Sequence, residues 1–300
     1  MGAHTGVGPD DPALRESGMP PDRAPEWSPL VSVYQALQAR QPRWHVAMGQ
    51  PCGTGWISGS ALAMASSGPL QELLTQIGER LQTTDRRTIA ASFALRHGWS
   101  AGAAIAPYLT HQCVPSLALE NVSFKFRADT LFERVALHRP IGAMVWQQGL
   151  EPHPLIQFLP TQQALLGYLR ASLVQQATPL VETLAAWSRF AVKGLWGMIT
   201  SSWAAQCMQI CQELSEQKDG AEHARALLAG EDVVAQMQPR FYSVTYGQIT
   251  HVYHRRSTCC RYYLLPQADY CANCPLLSQA ERVERNRTWM KNLCEPSASS

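Results

Sequence analysis

Apolar residues recur at helical spacing through much of the first 214 residues. Leucine and isoleucine side chains return every three or four positions over residues 70–81, just after Ser67-Gly68-Pro69, which predicts a helix with proline in its first turn. The apolar stretch 90–108 predicts helix interrupted by one glycine, and residues 161–214 predict two or three helices. The predicted breaks and hinges fall at Gly98, Pro179 and Gly194.

Period-two alternation marks the strand candidates. Apolar and polar side chains alternate over residues 122–127, the pattern of a half-buried strand, and residues 141–146 predict a second strand. Residues 241–256 predict a hairpin with Gly247-Gln248 as its turn. A short polar helix is predicted over residues 278–292. The fold class is therefore α+β, predominantly helical with a small antiparallel sheet.

Composition and charge narrow the class of protein. The chain has 300 residues, of which 46% are hydrophobic and 16% charged, enough apolar material for a large core. The net charge is only +2, but from Arg240 onward eight basic residues face four acidic ones. That balance suits an anionic ligand, an acidic partner protein or thiolates that need compensation, and nothing indicates nucleic-acid binding. No secretory signal or apolar run of membrane-spanning length is visible, so we expect a cytoplasmic protein without a transmembrane segment, although peripheral membrane contact stays open.

Four of the nine cysteines fall within sixteen residues, as Cys259-Cys260, ten residues, then Cys271-x-x-Cys274. Clustered cysteines in the cytoplasm more often bind metal than form disulfides. Four thiolates suit either tetrahedral zinc or a two-iron cluster. Because adjacent side chains on an extended backbone point to opposite sides, the vicinal pair converges poorly on one small ion, which favours the larger iron–sulfur cluster. A zinc site that staples the C-terminus remains the alternative.

The segment Arg255-Arg256-Ser-Thr-Cys259-Cys260, with Tyr263 and Pro266 inside the loop before Cys271-x-x-Cys274-Pro275, resembles the FhuF family of ferric-siderophore reductases. The resemblance implies a [2Fe–2S] cluster held by Cys259, Cys260, Cys271 and Cys274. It also implies one-electron reduction of Fe(III) in hydroxamate-type siderophores in the cytoplasm, releasing Fe(II) for assimilation. The chain departs from some members by two residues between the basic pair and the cysteines, and by about 26 residues after Cys274.

The remaining chemistry points to a redox protein that depends on partners. No nucleophile, zinc-protease or nucleotide-loop motif is present, so we expect no catalytic residue beyond the cluster. Gly53 and Gly55 are followed by Gly59, one residue later than the glycine motif of a dinucleotide site requires, so we expect this segment to be a flexible loop. Electrons would then come from an external donor, a ferredoxin-like or flavin protein. Cys207 and Cys211 share one helix face among apolar neighbours, which favours core packing over metal binding.

Charged residues beside the cysteines are candidates for tuning the redox properties of the cluster. Arg255, Arg256 and Arg261 are expected to offset cluster charge or to dock an anionic siderophore, with solvated surface arginines as the alternative. His251 and His254 precede the cysteines and could couple the site to protons. Three aromatic residues are expected to fill the core rather than to line a siderophore pocket. They are Trp196, Trp203 and Tyr263.

Three regions follow from these patterns: a disordered tail over residues 1–29, a mainly helical siderophore-binding or scaffold region over 30–240, and a C-terminal cluster-binding segment over 241–300. The leading hypothesis is an iron–sulfur oxidoreductase acting on ferric siderophores. A zinc-stapled module that binds siderophore or protein without redox activity is the second. A siderophore-biosynthetic ligase ranks last, because it needs a nucleotide site and a much longer chain.

Overall fold

A computed structural model describes residues 28–42, 46–64, 66–214 and 219–294. The tail predicted to be disordered over residues 1–29 lies outside these ranges apart from its last two residues. Those two are ordered: Ser28 Oγ donates a hydrogen bond to the Pro140 carbonyl (3.2 Å), and the first helix begins at Pro29.

Helices form most of the described chain. Their bounds are α1 (Pro29–Arg40), α2 (Gly59–Leu62), α3 (Gly68–Arg80), α4 (Arg86–His97), α5 (Gly102–His111), α6 (Gln162–Ser188), α7 (Val192–Leu214), α8 (Gly220–Leu228), α9 (Val233–Gln236) and α10 (Gln279–Cys294).

The strands are short and form three separate sheets within the described ranges. They are β1 (Ala47–Met48), β2 (Trp56–Ser58), β3 (Cys113–Pro115), β4 (Val122–Phe126), β5 (Phe132–Leu137), β6 (Gly142–Val145), β7 (Ile156–Leu159), β8 (Arg240–Tyr246) and β9 (Ile249–Arg255). The sheet orders are β1-β5-β4-β2, β3-β6-β7 and the hairpin β8-β9. Most neighbours are antiparallel, while β1–β5 and β6–β7 run parallel. The α+β, predominantly helical class is confirmed, with three small sheets in place of one.

Most of the sequence patterns correspond to elements at the expected places. Helix α3 begins at Gly68 with Ser67 as its N-cap, and the predicted break at Gly98 is a 3-10 turn between α4 and α5. The predicted hairpin turns at Gly247, whose φ of 58° lies in the left-handed region that glycine adopts without strain. The pair of glycines at positions 53 and 55, both with positive φ, lies in a loop as expected.

The hinge predicted near Pro179 was wrong, whereas the one predicted near Gly194 corresponds to the break between α6 and α7 at residues 189–191. Helix α6 continues through Pro179 because buried side chains on both sides of it, including Ala177 and Leu180, pack one continuous face into the core. That packing outweighs the hydrogen bond that proline removes. The actual break follows Ser188, where Arg189 caps α6 with a left-handed φ of 54°.

Helix α7 is the centre of the molecule. It is buried along nearly its whole length and packs against α4, α5, α6 and α8. Trp196 and Trp203 lie on it, are 3% and 1% exposed, and contact each other edge to face, so both are core residues. The hairpin β8–β9 contacts the same helix, and α10 packs on β8, which brings the cysteine segment beside the helical body.

In the part of the chain that the structure describes, no helix is both long and apolar enough to cross a bilayer.

Candidate metal centre

The four clustered cysteines meet at the end of the C-terminal hairpin. Cys259 and Cys260 follow β9, and Cys271 and Cys274 lie on a tight turn closed by the Cys274 amide donating to the Cys271 carbonyl at 2.9 Å. The thiols associate across the loop as two pairs, Cys260 with Cys271 and Cys259 with Cys274. Each pair therefore joins one vicinal cysteine to one cysteine of the turn.

The two pairs have similar access to solvent. In each pair one cysteine is buried, Cys260 at 9% and Cys274 at 2% exposure, and the other is half-buried. The half-buried members are Cys259 and Cys271. The site is therefore partly open to solvent at Cys259 and Cys271, while Cys260 and Cys274 are enclosed by the protein.

Among the residues that the structure describes, no group of three or more His, Cys, Asp or Glu side chains is arranged so that it could hold a metal ion. Two hydrogen-bonded pairs of thiols form, Cys260 with Cys271 and Cys259 with Cys274, and charge interactions also link the two pairs. A [2Fe–2S] centre takes two protein ligands on each iron, whereas structural zinc takes four around one ion. The paired donor set therefore fits a two-iron cluster.

Arg256 provides an independent test of that fit. Its side chain is 6% exposed, contacts the Cys271 sulfur through Nη2, and lies close enough to Cys260 to hydrogen-bond with it. Its Nε and Nη1 are buried and have no hydrogen-bond partner among the described residues. A buried guanidinium beside four sulfurs needs an anion next to it, and thiolates that ligate a [2Fe–2S] cluster would supply that negative charge.

The same contacts shift the thiol pKa values. The hydrogen bond from Cys271 and the positive charge of Arg256 hold the pKa of Cys260 well below its ordinary value, despite burial. The pKa of its partner Cys271 is raised, because Cys271 donates the shared hydrogen bond and is itself half-buried. Burial raises the pKa of Cys259 to about 11, although the Arg261 amide donates to its sulfur. These directions favour a thiolate at Cys260 and protonated thiols at Cys259 and Cys271, and metal binding to a protonated thiol releases its proton.

All three predicted tuning arginines lie at the site, in different settings. Arg255 donates through Nη2 to the Pro275 carbonyl at 2.9 Å, directly after Cys274. Arg261 places its backbone amide 3.3 Å from the Cys259 sulfur and its side chain against Asp85. Arg256 alone contacts sulfur with its guanidinium.

Two further arginines, which the sequence singled out only as part of the basic segment, hold the turn in place. Arg282 is 1% exposed and donates to the carbonyls of Cys274 and Leu277, and it lies over the Tyr242 ring. Arg285 donates through Nη1 to the Tyr270 carbonyl at 2.6 Å. Both sit on α10 at a spacing of three, one turn apart, which is the only sequence signal that could have selected them.

His254 lies beneath the turn. Its Nε2 is 2.9 Å from Ser201 Oγ on α7 and 3.4 Å from Nδ2 of Asn273, one of the two residues between the turn cysteines. Burial, with the nearby charge of Arg256, lowers the pKa of His254 to about 4. The imidazole is therefore neutral at physiological pH and acts as a structural acceptor.

The other candidates are accounted for by packing. Cys207 and Cys211 are each 2% exposed in the core, as expected, and burial raises the pKa of Cys207. Tyr263 does not fill the core as expected: it is half-buried and stacks on Tyr270 with ring centroids 4.9 Å apart. His251 lies on β9 with its ring against Tyr253.

With this geometry established, comparison with known proteins gives one result. Residues 256–276 match the protein family described as the FhuF 2Fe-2S C-terminal domain. A search of curated proteins finds no match. The match confirms the resemblance carried by the cysteine motif and indicates a [2Fe–2S] cofactor and an iron–sulfur redox protein of the ferric-siderophore-reductase type. It covers 21 residues, and the division at residue 240 stays a prediction.

Proposed function

We propose that this protein reduces Fe(III) in a hydroxamate-type siderophore in the cytoplasm, through a [2Fe–2S] cluster held by Cys259, Cys260, Cys271 and Cys274. The observation that carries the proposal is the pairing of the four sulfurs beside a buried arginine with free donors. The family match over residues 256–276 supports the same ligands.

The chemistry needs one electron per iron. When bound, the cluster supplies a one-electron carrier. Hydroxamate oxygens are hard donors that hold Fe(III) far better than Fe(II), so reduction weakens the chelate and lets Fe(II) leave. The external donor loses one electron, Fe(III) gains it, and no bond in the organic chelator breaks. No acid, base or nucleophile from the protein is required.

The surrounding residues divide the remaining work. Arg256 offsets negative charge at Cys260 and Cys271, and the Arg261 amide donates to the Cys259 sulfur. Positive charge and hydrogen bonds at sulfur both favour the reduced state of such centres and so raise the midpoint potential. Arg255 donates a hydrogen bond to the Pro275 carbonyl and so fixes the chain where it leaves the cysteine turn.

The open edge of the site is where partners would approach. Cys259 and Cys271 are half-buried, and three exposed apolar side chains follow the cysteines closely in sequence: Tyr262, Leu264 and Leu276. We infer that both the ferric siderophore and an external ferredoxin-like or flavin donor use this edge. An acidic donor would complement the basic segment after residue 240.

The deciding experiment uses the anaerobically purified protein, reduced with one electron equivalent and mixed with a ferric hydroxamate siderophore. We expect the visible absorbance of the oxidised cluster to return while a ferrous chelator traps Fe(II). The matched control is the gallium(III) complex of the same siderophore, which has the same shape and charge but cannot accept the electron. Equal reoxidation by both complexes, or by neither, would contradict the proposed reaction.

A further inference from the structure

Helix α7 carries a glycine at the point where the chain passes over it just before the vicinal cysteines. A Cβ built on Gly197 would lie 2.3 Å from Thr258 Cγ2 and 2.8 Å from Ser257 Oγ. Both distances are far inside van der Waals contact. The side chains of Ser257 and Thr258 therefore pack directly against the helix backbone, and any side chain at position 197 would displace them.

A second contact holds the other side of the same cysteines. Arg261 directly follows Cys260 and adopts φ 64°, a left-handed conformation that is uncommon outside glycine. Its Nε donates to Asp85 Oδ2 at 3.1 Å, across 176 residues of sequence. Asp85 is itself fixed as the N-cap of α4, where it accepts from the Arg87 amide and the Thr88 hydroxyl.

A shared acceptor strengthens the first contact. Ser257 Oγ and Thr200 Oγ1 both donate to the Met237 carbonyl at 2.7 Å. Because Thr200 lies on α7, one turn after Gly197, the approach to the cysteines is tied to that helix by hydrogen bonds as well as by close packing.

We propose that Gly197 and Asp85 are positioning residues that clamp the vicinal pair Cys259–Cys260 from both sides; this rests on the proposed function, because the clamp matters only if those sulfurs hold the cluster. The clamp fixes the turn at residue 261, whose amide donates to the Cys259 sulfur. A hydrogen bond to a ligating sulfur helps to set the cluster potential, so a loosened clamp changes the cluster without touching a ligand.

The first test compares two glycines inside long helices. Gly197→Ala and Gly167→Ala both raise helix propensity, but a Cβ at Gly167 meets nothing within 4 Å. Each purified protein is assayed by circular dichroism, iron and sulfide content, electron paramagnetic resonance after reduction, and midpoint potential. We expect Gly197→Ala to keep its helix content but to lose its visible absorbance in air several times faster than wild type, with shifted g values. Gly167→Ala should match wild type.

A rescue variant identifies the contact. Thr258→Ser removes Cγ2, the atom nearest the new Cβ, and keeps the hydroxyl. The double variant Gly197→Ala with Thr258→Ser should recover most of the wild-type cluster lifetime and g values. If the double variant does not recover them, the contact between position 197 and Thr258 Cγ2 does not cause the change, which overturns this part of the clamp.

The second test separates position from charge on the other flank and remains usable if Gly197→Ala does not fold. Arg261→Gly removes the side chain while allowing the left-handed backbone, and Asp85→Asn keeps the N-cap but removes its charge. Asp219→Asn, at the N-cap of α8, is the control. If Arg261 and Asp85 act only as charges, their variants shift the midpoint potential in opposite directions and leave cluster lifetime unchanged, which would overturn the clamp. We expect both variants to shorten the lifetime, and Asp219→Asn to leave it unchanged.

The outcomes for the two proposals are distinct. Wild-type protein that holds no iron and sulfide contradicts the proposed function itself. Wild-type protein that holds the cluster, together with a Gly197→Ala variant identical to it in lifetime, g values and potential, contradicts the clamp alone.

Discussion

The two halves of the cysteine motif are held by different parts of the chain. Around Cys271–Cys274 the contacts are local. Arg282, eight residues beyond Cys274, donates a hydrogen bond to the Cys274 carbonyl, and Arg285 donates one to the Tyr270 carbonyl. Around Cys259–Cys260 the contacts come from the helical body, from Gly197 and from Asp85, 176 residues before Arg261. The family match spans residues 256–276 and so includes the four cysteines of the motif but none of these four supporting residues. A local motif can therefore identify ligands without identifying what holds them.

The largest expected effect is the loss of the cluster from either half alone. Cys274→Ser removes a ligand from the turn and Cys259→Ser removes one from the vicinal pair, so each should sharply reduce iron and sulfide content. Cys207→Ser, in the core of α7, removes a buried thiol that touches no cluster ligand in our account and should retain the full content. Equal metal loss in all three variants would mean that general unfolding, not ligation, is being measured.

A smaller but still large effect should follow from breaking the local support of the turn. Arg282→Met leaves the buried carbonyls of Cys274 and Leu277 without their donor. At about 1–3 kcal/mol for each buried unsatisfied group, we expect a loss of roughly 4 kcal/mol of unfolding free energy. Urea denaturation measures it, with Arg287→Met as the control, since Arg287 lies on the same helix and is exposed. If Arg282→Met loses less unfolding free energy than Arg287→Met, the turn does not depend on Arg282 for its stability.

Acid should weaken both the cysteine turn and the helical body through one buried histidine in each, His254 under the turn and His97 packed against Phe93 and Phe124. Burial lowers the pKa of each from 6.5 to about 4. The unfolded chain then binds protons that the native state rejects, so stability is full above pH 6.5 and falls as the pH drops toward 4.

Each histidine should cost about 1.6 kcal/mol between pH 6.5 and 5 by this linkage. Urea unfolding of the metal-free protein at the two pH values measures the cost. His254→Gln and His97→Phe should each remove that part of the pH dependence, and His251→Gln should not. If His254→Gln has the same pH dependence of stability as wild type, then His254 does not make the turn sensitive to acid.

The smallest effect concerns the residue that joins the two halves. Arg256 pairs its amide with the Asn273 carbonyl at 3.0 Å and contacts the Cys271 sulfur with its guanidinium. Arg256→Gln keeps the backbone pairing and removes the charge, so the midpoint potential should fall by roughly 60 mV, or about 1.4 kcal/mol for one electron. Arg240→Gln, on an exposed site of β8, is the control in the same potentiometric titration. A potential that stays unchanged or rises would contradict charge compensation by Arg256.

The sequence alone predicts the C-terminal cysteine segment better than it predicts the contacts between that segment and the helical body. The hairpin over 240–255, the polar helix after the cysteines and the four candidate ligands all follow from local patterns, because turn chemistry and residue spacing are local properties. The partners of Arg261 and Gly197 do not, because they depend on how α4 and α7 pack. The wrong hinge at Pro179 has the same origin: packing of buried side chains decided it, and local propensity did not.

The most direct measurement of the central claim is the metal and sulfide content of the protein purified without oxygen, together with its visible and electron paramagnetic resonance spectra. The account predicts two irons and two acid-labile sulfides per chain, a reddish-brown colour that bleaches on reduction, and a signal that appears only in the reduced state. A colourless protein holding one zinc and no sulfide would contradict it.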